Sequence, residues 1–101
     1  MATVIRKRLE KGWAADVPAG KVFWCHGGRV LTNMAELAAA LRDMSEETYR
    51  HHVNAGKNDF ANWLRDVVGD STLAAQVAKA PTRASAASRV DSRVRSLRAS
   101  S

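Results

Sequence analysis

Asn58–Asp70, "NDFANWLRDVVGD", is the stretch whose reading decides the fold. Phe60, Trp63, Leu64 and Val67 recur at i, i+3, i+4 and i+7, the spacing that gathers apolar side chains on one face of an α-helix. Asn58 is a natural N-cap, Asp59 sits favourably against the helix dipole, and Gly69 ends the run. A helix this short is unstable alone, so its apolar stripe needs a shared core.

Upstream, the pattern repeats with separate punctuation. Ser45 caps a helix that carries Glu46 and Glu47 in its first turn and Tyr49 and Val53 on one face, ending at Asn54-Ala55-Gly56. Before it, Asn33 with Glu36 resembles a capping box, and Met34, Leu37, Leu41 and Met44 form one stripe. Downstream, Ser71 restarts a helix with Leu73 and Val77 that runs until Pro81. Further upstream, Val22-Phe23-Trp24 favours a strand, Gly27-Gly28 a tight turn with positive φ, and Arg29-Val30-Leu31 a returning strand. The expected fold is mainly α: an N-terminal β-hairpin packed on a compact bundle of about four short helices, with flexible basic arms at both ends. Two strands alone are marginal in water, so the hairpin must lean on the helices.

The run from "VFW" through "GRVLTNMAELAAALRDMSEETYRHHVNAGKNDFANWLRDVVGD" resembles a small uncharacterised domain of archaeal and bacterial proteins. The shared pattern is an aromatic strand, a glycine turn, a Leu-rich helix, then His-Val-Asn, Asn-Asp-Phe and Trp-Leu. It covers roughly residues 22–78 and leaves out both basic ends. The resemblance supports the fold and brings no activity with it.

Charge divides the 101-residue chain in three. Residues 1–21 carry Arg6, Lys7, Arg8, Lys11 and Lys21 against Glu10 and Asp16, net +3. Residues 22–79 hold six basic and seven acidic side chains, net −1, and form the expected domain. Residues 80–101 carry Arg83, Arg89, Arg93, Arg95 and Arg98 against Asp91, net +4. The first segment reads as an irregular or weakly helical arm, with Trp13 docked on the body. The last, rich in Ser, Ala and Arg, reads as a tail that is disordered or becomes helical on binding. Val90, Val94 and Leu97 fall at i, i+4 and i+7 within it, a short amphipathic stripe suited to a partner's groove.

Several function classes find no support. Cys25 and His26 are neighbours, as are His51 and His52, which is not the pairing two to four residues apart that zinc sites use. Neighbouring residues on a strand face opposite sides, so Cys25 and His26 make a poor nucleophile–base pair. No phosphate-binding loop, dinucleotide fingerprint or nucleophile elbow is present. The expectation is therefore no enzyme, no catalytic residue, no metal and no cofactor. In the stretch around His51–Asp59 the polar residues read as a joint: Gly56 supplies a φ that other residues resist, Asn54 and Asn58 bond local backbone, His52 lies at the core edge and His51 in solvent. A DNA-reading helix at 59–68 would present Asp59, Asn62, Arg65 and Asp66, net −1, the wrong sign for a groove.

What remains is a binding module. Phosphate contacts from Arg6, Lys7, Arg8, Lys11, Arg83, Arg89, Arg93, Arg95 and Arg98 make sequence-independent binding of DNA or RNA the first expectation. The alternative is a protein–protein or assembly module anchored through Val90, Val94 and Leu97, with self-association among its forms. One cysteine fits a reducing cytoplasm, and no apolar run reaches the ~18 residues of a membrane span.

Overall fold

The computed structural model describes residues 15–99. The expected arm, with Trp13, lies outside them except for its last residues.

The chain enters through a 3₁₀ turn at Ala19–Lys21, behind Pro18. Strands β1 (Phe23–Trp24) and β2 (Val30–Leu31) pair antiparallel, Phe23 opposite Leu31 and Trp24 opposite Val30. The turn between them closes with the Gly28 N–H on the Cys25 carbonyl, and Gly27 and Gly28 both take φ of 99°. This is the positive-φ turn the glycine pair requires.

Helix α1 (Met34–Asp43) follows, its N-cap Asn33 accepting from the Glu36 N–H. Glu36 reaches back to the Thr32 backbone N–H and hydroxyl, both at 2.7 Å, so the capping box closes one residue early. Helix α2 (Glu46–His52) is capped by Ser45. A second, unanticipated hairpin joins α2 to the next helix: β3 (Val53–Asn54) pairs with β4 (Lys57–Asn58). Asn54 accepts from the Gly56 N–H at 2.9 Å and shapes the turn. Gly56 is not among the positive-φ glycines, so the side chain of Asn54, rather than a left-handed glycine, makes this turn.

Helix α3 (Asp59–Trp63), capped by Asn58, widens into a π-helical turn at Leu64–Val68. Gly69 ends it at φ 93°, its N–H returning to the Leu64 carbonyl. Helix α4 (Ser71–Ala78) restarts at Ser71 and is capped by Asp70, whose carboxylate accepts the Leu73 N–H.

The largest correction concerns residues 80–101. Arg83–Ala99 forms a 17-residue helix, α5, that lies along α1 and also packs on α4. Ala86, Ala87, Val90 and Val94 are buried in the same core as Met34, Leu37, Ala38, Ala40, Leu41, Phe60, Leu64, Leu73 and Val77. The core therefore spans residues 23–94 and crosses the expected boundary at 79. Both helices bring buried alanines to that core, Ala38 and Ala40 from α1 and Ala86 and Ala87 from α5, beside their larger apolar residues. The Ser- and Arg-rich composition that suggested disorder belongs to the outer face of that helix.

Candidate functional site

The basic side chains of α5 divide into two groups. Arg83 donates to the carbonyls of Leu41 (2.5 Å) and Arg42 (3.0 Å) at the end of α1 and pairs with Glu46 at 2.7 Å. Arg89 donates to the Gln76 carbonyl at 2.6 Å. Arg93 meets Asp70 at 2.7 Å, and Asp70 is 1% exposed. These three arginines staple α5 to the body by satisfying helix-end carbonyls and one buried carboxylate. Arg95, by contrast, is 80% exposed and shares Asp91 with Arg42, and Arg98 is exposed in the last turn. Of the tail arginines expected to touch phosphates, Arg95 and Arg98 face solvent most openly. The expected anchors are turned inward: Val90 and Val94 are buried, and Leu97 packs against the core. They are occupied by α1 and its neighbours, because that stripe is the one that seats α5.

Arg6, Lys7, Arg8 and Lys11 lie outside the described residues, but their attachment point is visible. The Val17 N–H donates to the Thr32 carbonyl at 2.8 Å, and Asp16 accepts from Asn33 at 2.8 Å, beside the start of α1. Helix α5 packs on α1 and is tied to its end at two places, by Arg83 on the Leu41 carbonyl and by Asp91 on Arg42. At 1.5 Å per residue α5 is about 25 Å long against about 15 Å for α1, so it overhangs its neighbour. Arg95 lies one turn beyond Asp91, which ties α5 to Arg42 in the last turn of α1.

A second cluster gathers all three histidines of the chain at the joint. His52 is 6% exposed, packed against Phe23 and Phe60 at ring-centroid distances of 5.1 Å each. Its Nε2 accepts the His26 backbone N–H at 2.9 Å, and its Nδ1 lies 3.1 Å from the Asp59 carboxylate, which Lys57 also holds at 3.1 Å. The acceptor role of Nε2 puts the proton of the neutral ring on Nδ1, directed at Asp59. The exposed His51 stacks on His26 at 4.0 Å, with an interplanar angle of 21°. Loss of water contact, and then the nearby His26, His52 and Lys57, push the His51 imidazole below its usual range, with Asp59 opposing. For Asp59, desolvation pulls upward, but the hydrogen bonds from His52 and Lys57 prevail and hold it below the usual carboxylate range. Burial pushes the Cys25 thiol up, and with it the Tyr49 phenol, where Glu46 adds to the effect. Among the described residues no three His, Cys, Asp or Glu side chains are grouped to hold a metal ion.

The residues of the His52–Leu64 signature all serve this joint. His52, Asn54, Asn58 and Asp59 make its hydrogen bonds, Phe60 and Leu64 are fully buried, and Trp63 donates to the Lys21 carbonyl at 2.9 Å. Asp59 is thereby withdrawn from any groove-reading face, and Arg65 is tied to Asp66.

One surface feature went unnoticed in the sequence. Trp24 is 73% exposed opposite Val30, itself 37% exposed, on the outer face of the β1–β2 hairpin. The period-two alternation of Phe23, Trp24 and Cys25 was the signal that one of two adjacent aromatics must face out. No helix among the described residues is long and apolar enough to cross a membrane. In comparison with known proteins, no family model, no curated protein and no solved structure matches the chain.

Proposed function

We propose that the protein is a non-enzymatic cytoplasmic module that binds DNA or RNA through their phosphates, without reading sequence. The observation that carries this reading is the segregation of charge along the chain, net +3 over residues 1–21 and +4 over residues 80–101 against −1 between them, with Arg95 and Arg98 exposed. Residues 1–14 hold Arg6, Lys7, Arg8 and Lys11 against Glu10, and the last turns of α5 add Arg95 and Arg98. Cations clustered in each segment, with few acidic neighbours, act together on a polyanion over roughly a Debye length. Arg83, Arg89 and Arg93 support the same site indirectly, by holding α5 in place.

Binding to a random-sequence duplex and to a single-stranded RNA, followed over a salt series, tests the reading. Six phosphate contacts predict a fall in log K with log salt of slope about −5 on duplex DNA. Arg95→Ala with Arg98→Ala lowers the slope by about 2 and weakens both ligands alike. An affinity indifferent to salt and to both substitutions overturns it.

A second reading is favoured by the exposed Trp24–Val30 pair: docking of a protein partner on the outer face of the hairpin. Trp24→Ser separates the two. It abolishes partner capture under this reading and leaves the salt slope of nucleic-acid binding unchanged under the first.

A further inference from the structure

We propose that the three-histidine joint is an acid-released latch that holds the glycine turn of the β1–β2 hairpin against the α2–α3 corner when neutral and frees it when protonated. The inference is independent of the phosphate-binding reading. It rests on which atoms face one another. The turn is tied to the corner by the His26 N–H on His52 Nε2, at 2.9 Å, and by the ring of His26 lying on that of His51 at 4.0 Å. The hydrogen bond requires a neutral His52, and the stack excludes charge on both of its rings at once. A proton on His52 Nε2 would set N–H against N–H at a distance that suits a donor and an acceptor only. Protons on His26 and His51 together would set two cations face to face.

The charged and titratable groups around the latch come from every element that meets there. His26 comes from the turn, His51 and His52 from α2, Lys57 from β4 and Asp59 from the start of α3. Asp59 faces the Nδ1 of His52 and shares its carboxylate with Lys57. The acid form of His52 therefore keeps its bond to Asp59 and loses its bond to the turn. The corner stays intact and the hairpin turn is what lets go. The lowered proton affinity of His51 agrees with two stacked rings that resist charging together. Release would carry the exposed Trp24 and Val30 with the hairpin.

Cys25, next to the turn, 7% exposed and the one cysteine of the chain, is a built-in reporter. Its rate of reaction with 4,4′-dithiodipyridine, normalised at each pH to the denatured chain, measures how often the hairpin opens. Between pH 7.5 and 5 the normalised rate is expected to rise at least tenfold while far-ultraviolet circular dichroism stays constant. His52→Gln keeps an acceptor for the His26 N–H but gains no proton, so its rate stays flat. His51→Ala, an exposed substitution that leaves the core intact, removes one of the two ties, so its normalised rate at pH 7.5 is expected to exceed that of the natural chain. A flat rate in the natural chain overturns the latch. So does a rate that rises only as helical signal is lost, or a His51→Ala rate at pH 7.5 equal to that of the natural chain.

Discussion

Trp63 is 6% exposed, meets Phe23 edge-on at 5.9 Å and spends its indole N–H on the Lys21 carbonyl. It ties the entering chain to α3 as well as filling the core. Trp63→Ala should cost about 3–5 kcal/mol, against roughly 5–10 kcal/mol for a domain this size. Trp63→Phe keeps most of the volume and loses the hydrogen bond, worth about 1 kcal/mol. Equilibrium denaturation should place the first variant near unfolding and the second well clear of it. Arg93 invites a similar comparison. It is the guanidinium that neutralises buried Asp70, so Arg93→Met should destabilise by about 1–3 kcal/mol, reduced from the fully buried case because Arg93 is 29% exposed. Arg95→Ala, on an exposed pair, should change stability by less than about 0.5 kcal/mol. Matched denaturant midpoints for the two arginine variants check this. Trp63 was legible because it sits mid-stripe. The roles of the arginines were not, because composition cannot tell a helix staple from a solvated charge.

Among the elements, Gly69 and Gly56 separate a glycine that is needed for its backbone from one that is not. At φ 93° Gly69 holds the left-handed end of the α3 corner, so Gly69→Ala should cost about 1–2 kcal/mol. The backbone of Gly56 has no positive φ, and a Cβ there would meet only Asn54 Oδ1 at an ordinary 3.6 Å. Gly56→Ala should therefore lie within about 0.5 kcal/mol of the natural chain by thermal denaturation. Helix positions, caps at Asn33, Ser45 and Asn58, and the first hairpin were readable from periodicity and punctuation. Two things hid from that reading. The β3–β4 hairpin has only two residues a side, too few for a pattern. Helix α5 has Val90, Val94 and Leu97 diluted among Ser and Arg, so its stripe was visible but its partner, the alanine-rich face of α1, was not. Tertiary complementarity, not propensity, decides that helix.

At the scale of the whole molecule, acid should weaken the fold in two stages. The imidazole of His51 is depressed in the folded chain, so the unfolded chain takes up protons first as pH falls through the ordinary histidine range near 6.5. Stability drops there. Asp59 is also depressed, so its contribution is full above the ordinary carboxylate range near 4 and is lost as pH falls through and below it. Urea midpoints measured from pH 7.5 to 3 should step down across both windows, and His51→Ala should flatten the upper step alone. A midpoint that rises with acid would contradict both signs.

The clasp of Arg83 on the end of α1 joins residues 41 and 42 apart in sequence, and Arg42 to Asp91 spans 49. A ribosome adding about 5–20 residues per second makes α1 several seconds before the segment that covers it exists. During that interval Leu37 and Leu41 face water or the nascent chain around them. Closure over so long a loop also raises contact order, so refolding should be slower than for a bundle of sequence-adjacent helices. Stopped-flow refolding monitored by tryptophan fluorescence would show whether the last helix to be made is the one that sets the rate.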